Sequence, residues 1–230
     1  MNVSIHQPEH LPWTGFFHKM MCADLYVYLD HVQYRKDYFQ NRNKIVNKEG
    51  KEIWATIPIR SRGMHETILD KEIVDGYSKK YISLIESSYK QSKYFDIYFD
   101  KLRLIFMNKH RKLIDLNIDI IDFFREELDI STPTVRSSDL NINSSKSEMN
   151  LDICLTLGAD SYITGPSGLD YLDINSFSNH NIEILVHKYF APVYQSEHFY
   201  PNLSTLDLLF NQGENSRQII LDAGNIQKNK

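Results

Sequence analysis

The 230-residue chain is 42% hydrophobic and 24% charged, with a formal net charge of −4, the make-up of a soluble globular protein that can bury a full core. The acidic balance argues against a general nucleic-acid binder but leaves room for a local basic pocket around one phosphorylated ligand. No stretch reaches the roughly 20 apolar residues of a membrane span. The first residues show no charged-then-apolar leader pattern. Two cysteines, Cys22 and Cys154, suit a reducing compartment and supply no zinc or disulfide framework. A cytoplasmic protein is expected.

Residues 2–6 predict a short strand. Pro8 and Pro12 then forbid both strand pairing and a helix interior. A helical pattern follows Gly15 (Phe16-Phe17-His18-Lys19-Met20-Met21), and Leu25 to Leu29 reads as a second strand ending on Asp30. Strand, loop, helix, strand is a βαβ unit. In open parallel sheets, ligands bind outside the carboxyl ends of the strands. His6-Gln7 and Asp30 stand at those ends.

The run from Gln33 to Ile45 is dense in groups that bind anions and sugars. Arg35, Lys36, Arg42 and Lys44 bring positive charge, Gln33, Gln40, Asn41 and Asn43 bring amides, and Tyr34, Tyr38 and Phe39 bring flat surfaces. A solvated basic hairpin is the plain alternative, and composition leaves both open. Ile53 to Ile57 reads as a strand stopped by Pro58. Arg60, Arg62 and Gly63 read as a mobile basic loop. Ile68 to Ile73 reads as a short strand, with Asp70, Lys71 and Glu72 marking an edge position.

From Tyr77 to Leu128 apolar residues recur at helical spacing, which predicts a lobe of three helices over about residues 77–130. Its tyrosine stripe is expected in the core. Thr134-Val135-Arg136 predicts a strand, and Lys146 to Leu157 an amphipathic helix with Gly158 at its C′ position. Ser161 to Thr164 is the next strand, and the turn Gly165-Pro166-Ser167-Gly168 leaves its end. Ile174 to Ser178 predicts a short helix, Ile182 to His187 a strand, and Leu203 to Phe210 and Glu214 to Leu221 two closing helices. Residues 225–230 read as a frayed tail. The expected architecture is α/β: one domain over residues 1–230, a mostly parallel or mixed sheet with flanking helices, and the helical lobe.

Candidate chemistry centres on few residues. His6 at a strand end can serve as a general base or as a structural imidazole. The glycines around Ser167 let backbone amides approach an anion or oxyanion, or simply make a turn. Ser167 lies in no nucleophile-elbow pattern. Cys154, between Ile153 and Leu155, suits a packing thiol. No metal-ligand motif and no P-loop occurs.

Several motifs together resemble the WbqC-like family of bacterial polysaccharide-cluster proteins. They are His6-Gln7-Pro8, Leu11-Pro12-Trp13, Gly15-Phe16-Phe17, Lys19-Met20, Ala23-Asp24 and Asp30. The match continues through Val32-Gln33-Tyr34-Arg35-Lys36, Gln40-Asn41-Arg42, Gly165-Pro166-Ser167-Gly168 and Leu206 to Asn211. His10 departs from the family, which more often has an aromatic residue there. The opening also loosely resembles that of nucleotidylyltransferase folds. Those enzymes use an HxGH pair, however, and this chain has Trp13-Thr14-Gly15-Phe16 at the matching place, which argues against an ATP-activating mechanism.

Members of the WbqC-like family occur in O-antigen clusters, and some are proposed to be glycine transferases acting on a nucleotide-linked amino sugar. The resemblance implies a transferase adding an aminoacyl or acyl group to such an amine. The donor would be a thioester on carrier-protein phosphopantetheine or coenzyme A; no other cofactor and no metal is implied. His6 would be the base and Asp30 its orienting partner. Gln7 or the Gly165–Gly168 amides, with Ser167 between them, would donate to the oxyanion. Arg35, Lys36 and Arg42 would hold the diphosphate, with Gln33 and Asn41 beside them. Trp13 or Tyr34 would stack on base or sugar. The alternative is a non-catalytic partner that binds a nucleotide sugar or an acyl carrier protein in the same pathway.

Overall fold

A computed structural model describes residues 1–60, 63 and 65–229. The basic-loop expectation at Arg62 lies outside the described residues. The chain opens with β1 (Asn2–His6), α1 (Thr14–Met21) and β2 (Leu25–Tyr28), followed by the hairpin β3 (Arg42–Val46) and β4 (Glu52–Thr56). Three helices come next, α2 (Ser78–Tyr89), α3 (Phe95–Met107) and α4 (Leu113–Glu127). The α/β alternation then resumes with β5 (Thr134–Arg136), α5 (Lys146–Thr156), β6 (Ser161–Thr164), α6 (Ile174–Asn179) and β7 (Glu183–Tyr189). Helices α7 (Thr205–Gln212) and α8 (Ser216–Leu221) lead to β8 (Gly224–Lys228).

The main sheet has the order β5-β2-β1-β6-β7-β8. All its pairs are parallel except β7 with β8. Both faces are covered, as a parallel sheet requires. The alternation along β2 shows how. Tyr26 and Tyr28 face a core built with Phe16, Phe17 and Met20 of α1 and the apolar stripes of α2 to α4 and α7. Val27 and Leu29 join Val3 and Ile5 in the opposite core, which contains Ile153 and Cys154 of α5 and Phe177 of α6. Tyr81, Tyr89 and Tyr98 of the tyrosine stripe are buried in the first core. Each buried large apolar side chain contributes about 1.5–3 kcal/mol. Helix α5 stops where Gly158 takes a φ of 67°, a conformation suited to glycine. No helix among the described residues is long and apolar enough to cross a membrane.

Two expected elements are different. Ile68 to Ile73 is not a strand: Ile68–Asp70 forms a 3-10 turn fixed by a capping box in which Asp70 accepts from both the N–H and the hydroxyl of Thr67. Glu72 and Ile73 make only isolated bridges, to Lys112 and Ile59. Residues 225–228 are not a frayed tail. They belong to β8, antiparallel along β7 with Val186 opposite Gln227. Main-chain bonds hold this polar edge strand, and side-chain periodicity does not announce it.

Candidate functional site

Parallel register carries the carboxyl ends of β1, β2, β5, β6 and β7 to one edge of the sheet. His6 ends β1 opposite Tyr28 of β2, Asp30 lies two residues past that strand, and Gly165–Gly168 follows Thr164 at the end of β6. The chain leaves β1 toward β2 and β5 on one side and returns to β6 and β7 on the other. The end of β1 is therefore next to the topological switch point, where open sheets hold ligands.

The turn after His6 is strained and clamped. Leu11, fully buried, takes a φ of 42°, which costs a residue with a Cβ on the order of 1–3 kcal/mol. Asn43 Nδ2 of β3 holds it by donating to Leu11 O at 2.9 Å. His10 is buried and structural. Its ring nitrogens meet Asn117 Oδ1 at 3.2 Å and Tyr81 OH at 2.5 Å, and burial lowers its pKa to about 3.

His6 packs against Phe16, with ring centroids 5.2 Å apart, and its side chain keeps 32% of its surface exposed. Its Nε2 faces Glu9 Oε1 at 3.8 Å, while its Nδ1 is sealed in without a partner. Close packing lowers the His6 pKa well below the usual histidine range, and the charge of Lys19 and the His187 imidazole push the same way. Glu9 and Lys19 are both buried. Lys19 Nζ donates to Ile5 O at 3.1 Å. Desolvation raises Glu9 to about 8 against the pull of Lys19, and it lowers Lys19 to about 8 against the pull of Glu9. Behind them His18 Nδ1 and His187 Nε2 share a 2.8 Å hydrogen bond, and burial holds His187 at about 3.

Asp30 is occupied elsewhere. Its carboxylate accepts from Arg136 Nε at 2.6 Å, from both Ser138 N and Ser138 Oγ, and from Ser137 Oγ. The carboxylate that faces His6 is that of Glu9. Trp13 packs into the core edge-on to Tyr189, and its ring fills the space over Gly15. Gly168 N–H donates to Gly165 O at 2.9 Å, and Ser167 is exposed.

A second group gathers at the hairpin. Gln33, Tyr34, Lys36, Asn41 and Arg42 line a pocket of about 590 Å³ together with Asp37, Thr56, Glu66 and Lys71. Asp37, at a φ of 62°, turns the segment back. Arg42 reaches Asp37 with one nitrogen 3.1 Å from the carboxylate and the other 2.6 Å from the carbonyl, and its guanidinium lies over Trp54 at 4.3 Å. Lys71 pairs with Glu66 and lies 4.8 Å from the Tyr34 ring. Arg35 is not among the lining residues; it lies over Tyr38 at 5.1 Å. Among the described lining residues, three cations, Lys36, Arg42 and Lys71, meet two carboxylates, Asp37 and Glu66.

Glutamine side chains join the two groups. Gln40, fully buried, donates from Nε2 to Gln7 Oε1 at 2.6 Å and accepts from Arg35 N at 2.8 Å. Asn41 next to it accepts from Tyr34 OH at 2.8 Å in the pocket wall.

Reasoning from sequence did not pick out Glu9, Lys19, His18 or His187. Lys19 had a local signal, as a cation inside the apolar run from Phe16 to Met21. Glu9 is a lone acid between two prolines. His187 had none, since the contact it makes with His18 spans 169 residues.

The mycobacterial protein "Uncharacterized protein Rv1507c" of Mycobacterium tuberculosis is similar to this chain, at 29% identity over 219 residues, 92% of this chain and 94% of that protein. No solved structure matches. The WbqC-like protein family matches residues 7–219, a span that contains both groups except His6 itself. With nearly the whole chain covered, this protein belongs to the WbqC-like protein family.

Proposed function

We propose that this protein transfers an aminoacyl group, such as glycyl, or another acyl group to the amine of a nucleotide-linked amino sugar in O-antigen or surface-polysaccharide synthesis. The observation that carries the reading is the Gln7–Gln40 hydrogen bond, which ties the His6 strand end to the segment lining the hairpin pocket. A sugar nucleotide in that pocket would place its diphosphate near Lys36 and Arg42 and a ring against Tyr34. Its amino sugar would then extend toward His6.

The donor is a thioester on a carrier-protein phosphopantetheine or on coenzyme A. The amine attacks the thioester carbonyl, the C–N bond forms, and the C–S bond breaks. His6, neutral near pH 7 because its pKa is lowered, accepts the amine proton. Gln7 is the favoured oxyanion donor. Its Oε1 is engaged by Gln40, which leaves its amide nitrogen for the oxyanion, whereas the Gly168 N–H is spent within its own turn.

The test is direct. Purified protein is incubated with nucleotide diphosphate amino sugars and glycyl or acyl thioesters, and the product is read by mass spectrometry. A new amide on the sugar supports the transferase. Tight binding without product makes the protein a non-catalytic binder of nucleotide sugars.

A further inference from the structure

The buried group behind His6 is costly to assemble. A carboxylate and an ammonium are both taken out of water, and in such pairs desolvation tends to offset the attraction. The ammonium donates to Ile5 O, but the carboxyl side is not fully compensated: Glu9 Oε2, and with it His6 Nδ1 and Tyr26 OH, are buried without hydrogen-bond partners. Unpartnered polar atoms next to a sheet edge that also carries an accessible imidazole are a reserve of protonation states. A structural pair would show satisfied lone pairs, as Asp30 does.

Resting on the transferase reading, we propose that Glu9 is the proton acceptor behind His6. The proton that the attacking amine gives to His6 Nε2 passes to Glu9 Oε1, and from Glu9 to the departing thiolate. The balance closes. The C–N bond replaces the C–S bond, the sulfur leaves as thiol, and His6 and Glu9 return to their starting states. The 3.8 Å between Nε2 and Oε1 needs only a small swing of the imidazole to become a hydrogen bond.

The surroundings favour this direction. His6 alone is too weakly basic to keep a proton, because burial, Lys19 of α1 and His187 of β7 all disfavour its charged form. Glu9, faced by Lys19 of α1, by His6 of β1 and by Tyr26 of β2, has its pKa raised to about 8 by desolvation. It binds a proton readily near neutrality. It must be ionised to accept one, so turnover should rise with pH through about 8.

Glu9→Gln keeps the shape and removes the acceptor. With a nucleotide diphosphate amino sugar and a thioester donor, kcat should fall roughly 10²–10⁴-fold, KM should hold, and the limb rising through about pH 8 should disappear. A variant with wild-type kcat and an unchanged pH limb would overturn the proposal. A second measurement needs no turnover and no variant: carboxyl ¹³C and imidazole ¹⁵N shifts of the wild-type protein, titrated from pH 4 to 10. A Glu9 carboxyl that titrates near 8, with the His6 ring shifting in step, supports the coupled pair even if no transferase product forms, an outcome that removes only the reaction proposed above. A Glu9 carboxyl that titrates in the ordinary carboxylate range overturns the pair whatever the protein catalyses.

Discussion

Arg136 Nε donates to Asp30 Oδ2 at 2.6 Å, and this bond closes the edge of the sheet between β2 and β5. Asp30 is fully buried, while Arg136 keeps 36% of its side chain in solvent. Asp30→Ala therefore strands the donors of Ser137 and Ser138 more than it strands the arginine, which can turn to water. The expected loss is about 1–3 kcal/mol of stability, the usual cost of leaving buried partners unpaired. Urea unfolding measures it. If Asp30 instead orients His6, the variant will lose activity out of proportion to stability.

The two arginines of the basic segment are not equivalent. Arg42 lines the hairpin pocket and Arg35 lies outside it over Tyr38. Arg42→Ala should weaken binding of a nucleotide diphosphate sugar by about 1.5–3 kcal/mol, the scale of a hydrogen bond to a charged group. Arg35→Ala should change it by about 0.5 kcal/mol or less. Isothermal titration of both variants decides; unchanged affinity in Arg42→Ala removes the pocket from phosphate recognition.

Acid should destabilise the fold through its buried imidazoles. His10 and His187 stay neutral in the folded protein down to about pH 3, against 6.5 for an ordinary histidine. Between those values the unfolded chain binds more protons, so the contribution of these imidazoles to stability is full above about 6.5 and is lost as pH falls toward 3. Each such group adds up to about 1.4 kcal/mol per pH unit to the slope. His10→Gln should make the decline between pH 6.5 and 4 shallower by up to that amount. An identical slope in chemical denaturation would show that His10 is already open to protons in the folded state.

Gly168 and Gly165 should also differ. A Cβ at Gly168 would lie 1.9 Å from Thr164 Oγ1, whereas one at Gly165 meets no atom within 4 Å. Thr164 is β-branched and buried, so it has little room to rotate away. Gly168→Ala should cost about 1–3 kcal/mol, and Gly165→Ala about 0.5 or less. Thermal melts compare them.

What the sequence made legible followed local rules. Pro8 and Pro12 bounded the first loop, the apolar run from Leu25 marked β2, and Gly158 ended α5. By residue type Asp37, Asn41 and Asn43 were all turn-prone, and of these Asp37 takes the positive φ that turns the segment. The failures have a common physical origin. The stretch from Ile68 carried strand-like composition, and a local capping box outweighed it. Strand β8 is specified by an open edge far away in the chain, which polar side chains do not reveal. The same holds for the site. Asp30 looked available because nothing nearby in sequence claims it, yet Arg136, Ser137 and Ser138 do so from more than a hundred residues on. Glu9 looked like an ordinary loop acid until α1 folded over it.

The position of β1 also dictates when the site can form. On one side it pairs with β2, close by in the chain; on the other it pairs with β6, where Ser4 meets Ile163 across 159 residues. A ladder between such distant segments closes slowly, because the entropy of the intervening loop must be overcome before the contact gives anything back. During synthesis on the ribosome the first strand must therefore wait for the sixth, with one main-chain edge exposed and prone to wrong pairing. The hairpin and the three helices, whose contacts are local, can condense in the meantime. The strand that ends in His6 is made before the other strands of its sheet and is among the last to be enclosed, so its apolar neighbours stay open to chaperones and aggregation while the rest is made.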